Sequence, residues 1–204
     1  MNIVISESQY KRLIETEEEQ KVLHIPSLKF FNDDWFIMQK FLESKGNPPY
    51  SIGGNLDLRR TQIESLGNLT SVGGDLDLYD TPIKSLGNLT SVGGYLNLEN
   101  TPIKSLGNLQ SVGGDLMLYN IPIKSLGNLT SVGRNLYLYN TPIKSLGNLT
   151  SVGGELHLFR TPIKSLGNLT SVGGVMDLRR TPISKKYSKE EIRQMVNVDG
   201  EIYL

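Results

Sequence analysis

Residues 65–84 read SLGNLTSVGGDLDLYDTPIK, and the next stretch, 85–104, reads SLGNLTSVGGYLNLENTPIK. The block returns every 20 residues from Gly53 to about Ile183, with seven G-G/R-x-L-x-L units beginning at Gly53 and ending with the one at Gly173. Within one copy the apolar skeleton is Leu76, Leu78, Thr81, Ile83, Leu86, Leu89 and Val92, after which Leu96 opens the next. The step from Leu76 to Leu78 is strand spacing, whereas the longer steps suit a chain turning repeatedly about a narrow core. A helix needs a 3.6-residue rhythm, which the Gly-Gly pairs and Thr-Pro steps would interrupt. The pattern predicts a repeat solenoid: one short strand per coil, about eight coils, stacked as a parallel sheet.

Composition narrows the chemistry. The chain has 204 residues, with 21 Lys plus Arg against 21 Asp plus Glu, so the formal net charge is zero. That balance speaks against a dedicated nucleic-acid or membrane-surface binder, which usually needs a basic excess. Without Cys there is no disulfide, thiolate nucleophile or Cys-rich zinc site. Of the 21 Gly, 19 lie between Gly53 and Gly174 at fixed offsets in the coil. The first twenty residues carry charges throughout and lack an apolar stretch of the signal-peptide kind. No run of apolar residues is long enough for a membrane span, so the expected address is the cytoplasm. The five Asn-Leu-Thr sequons, starting at Asn68, then read as products of duplication rather than glycosylation sites.

Each column of the repeat has a mechanical reading. The Gly pair permits positive φ or a close backbone approach before the strand. Thr81 and its equivalents are expected to bond backbone groups coil after coil, forming a ladder that Ile121 breaks at a locally weaker turn. Pro82 sets the exit from that turn, and Asn68, after Gly67, serves a second one.

These residues resemble the leucine-rich repeat, L-x-x-L-x-L-x-x-N-x-L. Leu76, Leu78, Thr81 and Ile83 match its second and third Leu, its Asn position and the following Leu. The resemblance covers roughly residues 50–184, and the 20-residue length is similar to short repeats of bacterial and bacteriophage proteins. It implies a stack of parallel strands used for protein recognition, in a host cytoplasm or a virion if phage-encoded. Thr stands where the family has Asn, and Val72 lies four residues before Leu76 instead of three. A straighter β-solenoid than the family's horseshoe therefore stays open.

The ends read as caps. Residues 25–49 form a helical N-cap, with Asp33 or Asp34 opening a helix through Trp35, Phe36, Met38, Phe41 and Leu42, stopped by Gly46 and Pro48. Residues 50–184 are the solenoid. In 185–204, Ser188 and Glu191 form a capping box for a short helix, and Ile202 and Leu204 restate the repeat as a terminal strand. Residues 1–24 form a separate segment: a short helix with Tyr10, Leu13 and Ile14 on one side, then the acidic run Glu15 to Glu19, a possible docking peptide.

Function is sought in the columns that vary. Lys84 and its equivalents, and Ser71 and its equivalents, stay uniform although they face solvent. The outward strand positions and the two residues after the strand change from coil to coil. Between Gly53 and Val172 every aromatic residue lies in these columns: Tyr79, Tyr95, Tyr119, Tyr137, Tyr139 and Phe159. With His157, Arg160 and Arg179 they form the candidate partner-binding set, its hot spot in the C-terminal half, because Tyr and Arg dominate interface energetics. The expected function is a non-catalytic recognition module for a protein partner, with a glycan as a lesser option and no cofactor or metal. The alternative is a structural, virion-associated spacer docked through its N-terminal helix. Asp57, Asp75, Asp77 and Asp115 could hold Ca²⁺, but a solvated acidic patch offset by Arg59 and Arg60 is the preferred reading. Single-stranded nucleic acid is disfavoured by the acids in the same columns, and a membrane is not expected. Ice binding would need a flat Thr array, and the Thr70 column, interrupted by Gln110, offers only one row. His24 and His157 lack a recognisable catalytic partner motif.

Overall fold

A computed structural model describes residues 22–204; the readings made for Tyr10, Leu13, Ile14 and the acidic run lie outside the described residues. The chain is a β-solenoid of two parallel sheets, one of nine strands and one of eight, with a helix near each end. Each coil contributes two strands where the sequence reading expected one. In the third repeat, Ser91–Val92 joins the nine-stranded sheet and Leu96–Asn97 joins the eight-stranded sheet. The four-residue step from Val92 to Leu96 is the corner between them. Register shifts once, between Tyr50 and Ser51 where that strand meets Leu69–Val72, and is constant afterwards: Val92 pairs with Val112, and Leu96 with Leu116.

The glycine pair makes that corner possible through close approach, not through positive φ. A Cβ on Gly113 would overlap the carbonyl oxygen of Gly93 in the coil below. Positive φ appears instead at the two other bends, at Gly67 and its equivalents (φ +59 at Gly67) and at the column of Asn100 (φ 59). Side chains then fasten each bend. Ser65 Oγ accepts the Gly67 amide (3.0 Å), a bond repeated in every later coil through Ser165.

The threonine ladder exists, but in a different column from the one expected. Thr81, Thr101, Thr141, Thr161 and Thr181 are buried, and each donates to the Leu carbonyl three residues earlier in its own coil, as Thr141 does to Leu138 at 2.6 Å. The bonds that climb from coil to coil come from the other Thr column: Thr90 donates to the Thr70 carbonyl (3.0 Å) and Thr150 to that of Thr130 (2.8 Å). At Thr141 the tight turn brings the Leu138 carbonyl of the same coil to the hydroxyl, whereas at Thr90 the backbone runs beside the coil below and both its amide and its hydroxyl meet the Thr70 carbonyl. Ile121 fills its place in the first column with a fully buried side chain.

Leu, Ile and Val from all coils form one core, continuous from Leu23 to Ile202. Elements outside the repeats stand at both ends. Leu23–Ile25 is already a strand, pairing with Tyr50–Ile52, so the nine-stranded sheet begins ahead of residue 50, where the sequence reading started the solenoid, and its first strand straddles the boundary drawn between residues 24 and 25. The helix Trp35–Ser44 is capped by Asp34, which accepts from Phe36 and Ile37 amides. Its Trp35, Met38 and Leu42 are buried, whereas Phe36 points outward at 61% exposure. Gln39 on that helix donates to the buried Tyr50 hydroxyl, which in turn donates to the Leu66 carbonyl at 2.7 Å. At the other end the helix Lys189–Met195 carries both bonds of the capping box between Ser188 and Glu191. Val198 and Ile202 then pair with Val172 and Met176 as the last coil. No helix among the described residues is long and apolar enough to cross a membrane.

Candidate recognition face

The outward columns of the leucine strands have a structural default. In the first, at the corner, Asn55, Asp75, Asp115 and Asn135 each accept the amide of the equivalent residue one coil later, at 2.8–3.0 Å. In the second, Asp57, Asp77, Asn97 and Asp177 each accept the amide two residues on, at 3.0–3.1 Å, and so hold the following turn. Many of the Asp and Asn in the variable columns are thus part of the scaffold. The fourth variable column sits in the left-handed region, where Asn and Asp are tolerated best.

Against that default the departures stand out. Met117, Tyr137 and His157 occupy three consecutive coils of the second column and cannot supply the Asx acceptor. One column further on lie Tyr119, Tyr139 and Phe159. Tyr119 stacks on Tyr139 with ring centres 4.7 Å apart, and Tyr137 stacks on His157 at 4.9 Å. These distances match the ~4.8 Å strand spacing, so equivalent rings fall into stacks without distorting the sheet. Tyr119 Oη also donates to Glu99 Oε2 at 2.6 Å, and His157 Nε2 lies 2.9 Å from Glu155 Oε2.

The face ends in arginines. Arg160, Arg179 and Arg180 each place their guanidinium within 5.0–5.7 Å of the centre of the Phe159 ring. Arg179 is held by a two-pronged bond to Asp177 (2.9 and 2.7 Å). Burial pushes the Asp177 carboxyl up, but the bonds and charge of Arg179 outweigh this and hold it below the ordinary range. Tyr139, Asn140, His157, Phe159, Asp177, Arg179 and Arg180 line an open cleft of about 580 Å³.

Of the candidate residues, Tyr119, Tyr137, Tyr139, His157, Phe159, Arg160 and Arg179 therefore adjoin one another. Tyr79 and Tyr95 belong to a separate N-terminal group. Arg60 lies over the Tyr79 ring at 5.6 Å, and Tyr95 Oη donates to Asp77 at 3.2 Å. In that group Arg59 bridges Asp57 (2.6 Å) and Asp77 (3.6 Å), so these acids meet a guanidinium. Among the described residues no three His, Asp or Glu side chains gather as a metal site. Sequence reasoning left out Arg180 and Met117, although each shares a column with a chosen residue.

The nine-stranded sheet offers a different surface, a shallow groove of about 630 Å³ lined by Ser, Val and Gly of successive coils. Its side chains are the same in nearly every coil, so it presents no local feature that one partner could single out. The chain matches no protein-family model, and none of the curated proteins matches it.

Proposed function

We propose that this chain is a non-catalytic recognition module, a leucine-rich-repeat-like solenoid that binds a protein partner on the outward face of its leucine strands. One observation carries the reading. Three adjacent coils replace the Asp or Asn that fastens the next turn by Met117, Tyr137 and His157, and beside them stand Tyr119, Tyr139 and Phe159. Losing such a bond costs on the order of 1 kcal/mol, and unselected drift does not explain three successive losses in favour of large side chains. The uniform Ser and Lys columns nearby argue against general relaxation of the surface. Protein is favoured over glycan because Tyr and Arg together form interface hot spots. Eight strands at ~4.8 Å give a face on the order of 34 Å long, enough for a standard interface. His157 is engaged by Glu155 and stacked on Tyr137, which fixes its ring in the face. The 20-residue repeat resembles those of bacteria and bacteriophages, which supports a cytoplasmic or virion setting.

The test is a capture experiment with three proteins: the intact chain, Tyr119→Ala/Tyr139→Ala, and a deletion of residues 1–21. The deletion stops there because Leu23–Ile25 is a strand of the solenoid. The proposal expects partners captured by the intact chain to be kept by the deletion and lost by the face variant. The opposite pattern would replace it with a spacer docked through the N-terminal segment.

A further inference from the structure

The two ends of the face carry the same motif with different charge. Asp57-Leu58-Arg59-Arg60-Thr61 and Asp177-Leu178-Arg179-Arg180-Thr181 are identical in sequence, and both Asp–Arg clamps close the same way. At the N-terminal end Arg59 faces two carboxylates, Asp57 and Asp77, so two arginines meet two acids. At the C-terminal end Arg160, Arg179 and Arg180 crowd around one phenyl ring, and Asp177 pairs with Arg179 alone. Among the described residues neither Arg160 nor Arg180 makes an ion pair. Two uncompensated guanidiniums are thus held near a third, a repulsive arrangement that an anion would relieve.

Both free arginines also sit where the backbone disfavours them. Arg160 has φ 56 and Arg180 φ 60, in the column where Asn100, Asn120 and Asn140 accept the left-handed turn more readily. Arginine there brings charge to the surface at some expense of stability.

Resting on the recognition reading above, we infer that the cluster of Arg160, Arg179 and Arg180 around Phe159 binds an acidic segment of the protein partner. From Tyr119 to Arg180 the face crosses three coil steps, about 14 Å, which matches four or five extended residues. Charge complementarity alone would also admit single-stranded nucleic acid, but binding of that kind uses open aromatic faces. Here Tyr119 and Tyr139 cover each other, as do Tyr137 and His157, and the Phe159 ring is flanked by guanidiniums. Each stack thus closes one face of both its rings.

Fluorescence anisotropy on the full chain tests this with four labelled probes: a hexaglutamate peptide, a Gly-Ser hexapeptide, hexalysine and a short oligothymidine. Hexaglutamate should bind best at low ionic strength and weaken at about 0.5 M salt. Arg160→Asn/Arg180→Asn should bind it about tenfold less tightly or worse. Arg60→Asn, the same change at the neutral end, should leave binding unchanged. Asparagine suits this backbone, so melting of the double variant at or above the parent temperature shows that folding is intact. The inference falls if hexaglutamate binds no better than Gly-Ser, or if the double variant binds it equally well. It also falls if oligothymidine binds more tightly through the same arginines, which would assign the cluster to nucleic acid. Should hexaglutamate fail while Tyr119→Ala/Tyr139→Ala still abolishes partner capture, the acidic specificity is wrong and the recognition face stands.

Discussion

Tyr119 and Tyr139 lie one coil apart, with ring centres separated by 4.7 Å and planes within 9° of parallel. The strand spacing sets this geometry, so the stack is a product of the solenoid and contributes to it. The stack covers one face of each ring, and the Tyr119 hydroxyl is held by Glu99, so the pair meets a partner as a fixed unit.

The stack should appear as a coupling in stability. In a double-mutant cycle of Tyr119→Ala and Tyr139→Ala, chemical unfolding should give an interaction of about 0.5–1.5 kcal/mol. A coupling near zero would mean that the rings do not stay together in solution.

Coil spacing depends on every corner glycine of the later coils, whereas the left-handed column is mixed: a Cβ on Gly127 would overlap the Gly107 carbonyl oxygen, but one on Gly107 meets nothing. Gly113→Ala drives a methyl group into the Gly93 carbonyl, and should cost about 2–4 kcal/mol or prevent folding. Gly107→Ala meets nothing within 4 Å and carries only the left-handed strain of φ +57, about 1–2 kcal/mol. Thermal melts of the two variants should preserve this order, and the reverse order would contradict the corner geometry.

Much of this was legible in the repeat. The parallel stack followed from a 20-residue period whose apolar positions all point inward, and the capping box at Ser188 from its local spacing alone. The second strand was not legible, because Ser91–Val92 shows only one inward residue and so no alternation. The threonine columns were exchanged for a related reason: both Thr81 and Thr90 follow a turn, and only the fold decides which one faces the neighbouring coil. At the site, the aromatic columns were visible, but the structural duty of Asp75 and Asp77 was not. An Asp that bonds a backbone amide and one that faces a ligand look alike in sequence.

Alkali should reveal the tyrosines of the face. Burial raises Tyr95, Tyr119, Tyr137 and Tyr139 above the ordinary phenol value, and at Tyr119 the bond and charge of Glu99 push further the same way. A raised folded-state value means the phenol stays protonated while its unfolded counterpart ionises. Stability is therefore fully present below about pH 10 and declines as pH rises through the folded values. Tyrosinate absorbance should show a late-titrating group, to which the buried Tyr50 of the core also belongs, and Tyr119→Phe should reduce its amplitude by one tyrosine. Titration of every tyrosine together near pH 10 would contradict this.

Acid acts on the clamps. The Arg59 bond lowers Asp57, and Arg179 lowers Asp177 against the effect of its burial. A lowered carboxyl gives stability that is present above its unfolded value, about 3.9, and lost as pH falls through the folded value. Unfolding free energy should thus fall below about pH 4, and Asp177→Asn should flatten part of that slope. An unchanged slope would show that the clamp is not formed.

The outward face between Met117 and Arg180 is the surface proposed to meet a partner. Hydroxyl-radical footprinting of the chain, alone and with its captured partner, addresses this directly, since the rings and methionines of the face are themselves reactive. Met117, Tyr119, Tyr137, Tyr139, His157 and Phe159 should be protected, with Phe36 and Met195, exposed elsewhere on the molecule, unchanged. Protection confined to Tyr10 or Phe36, with the six face residues as reactive in the complex as in the free chain, would contradict it.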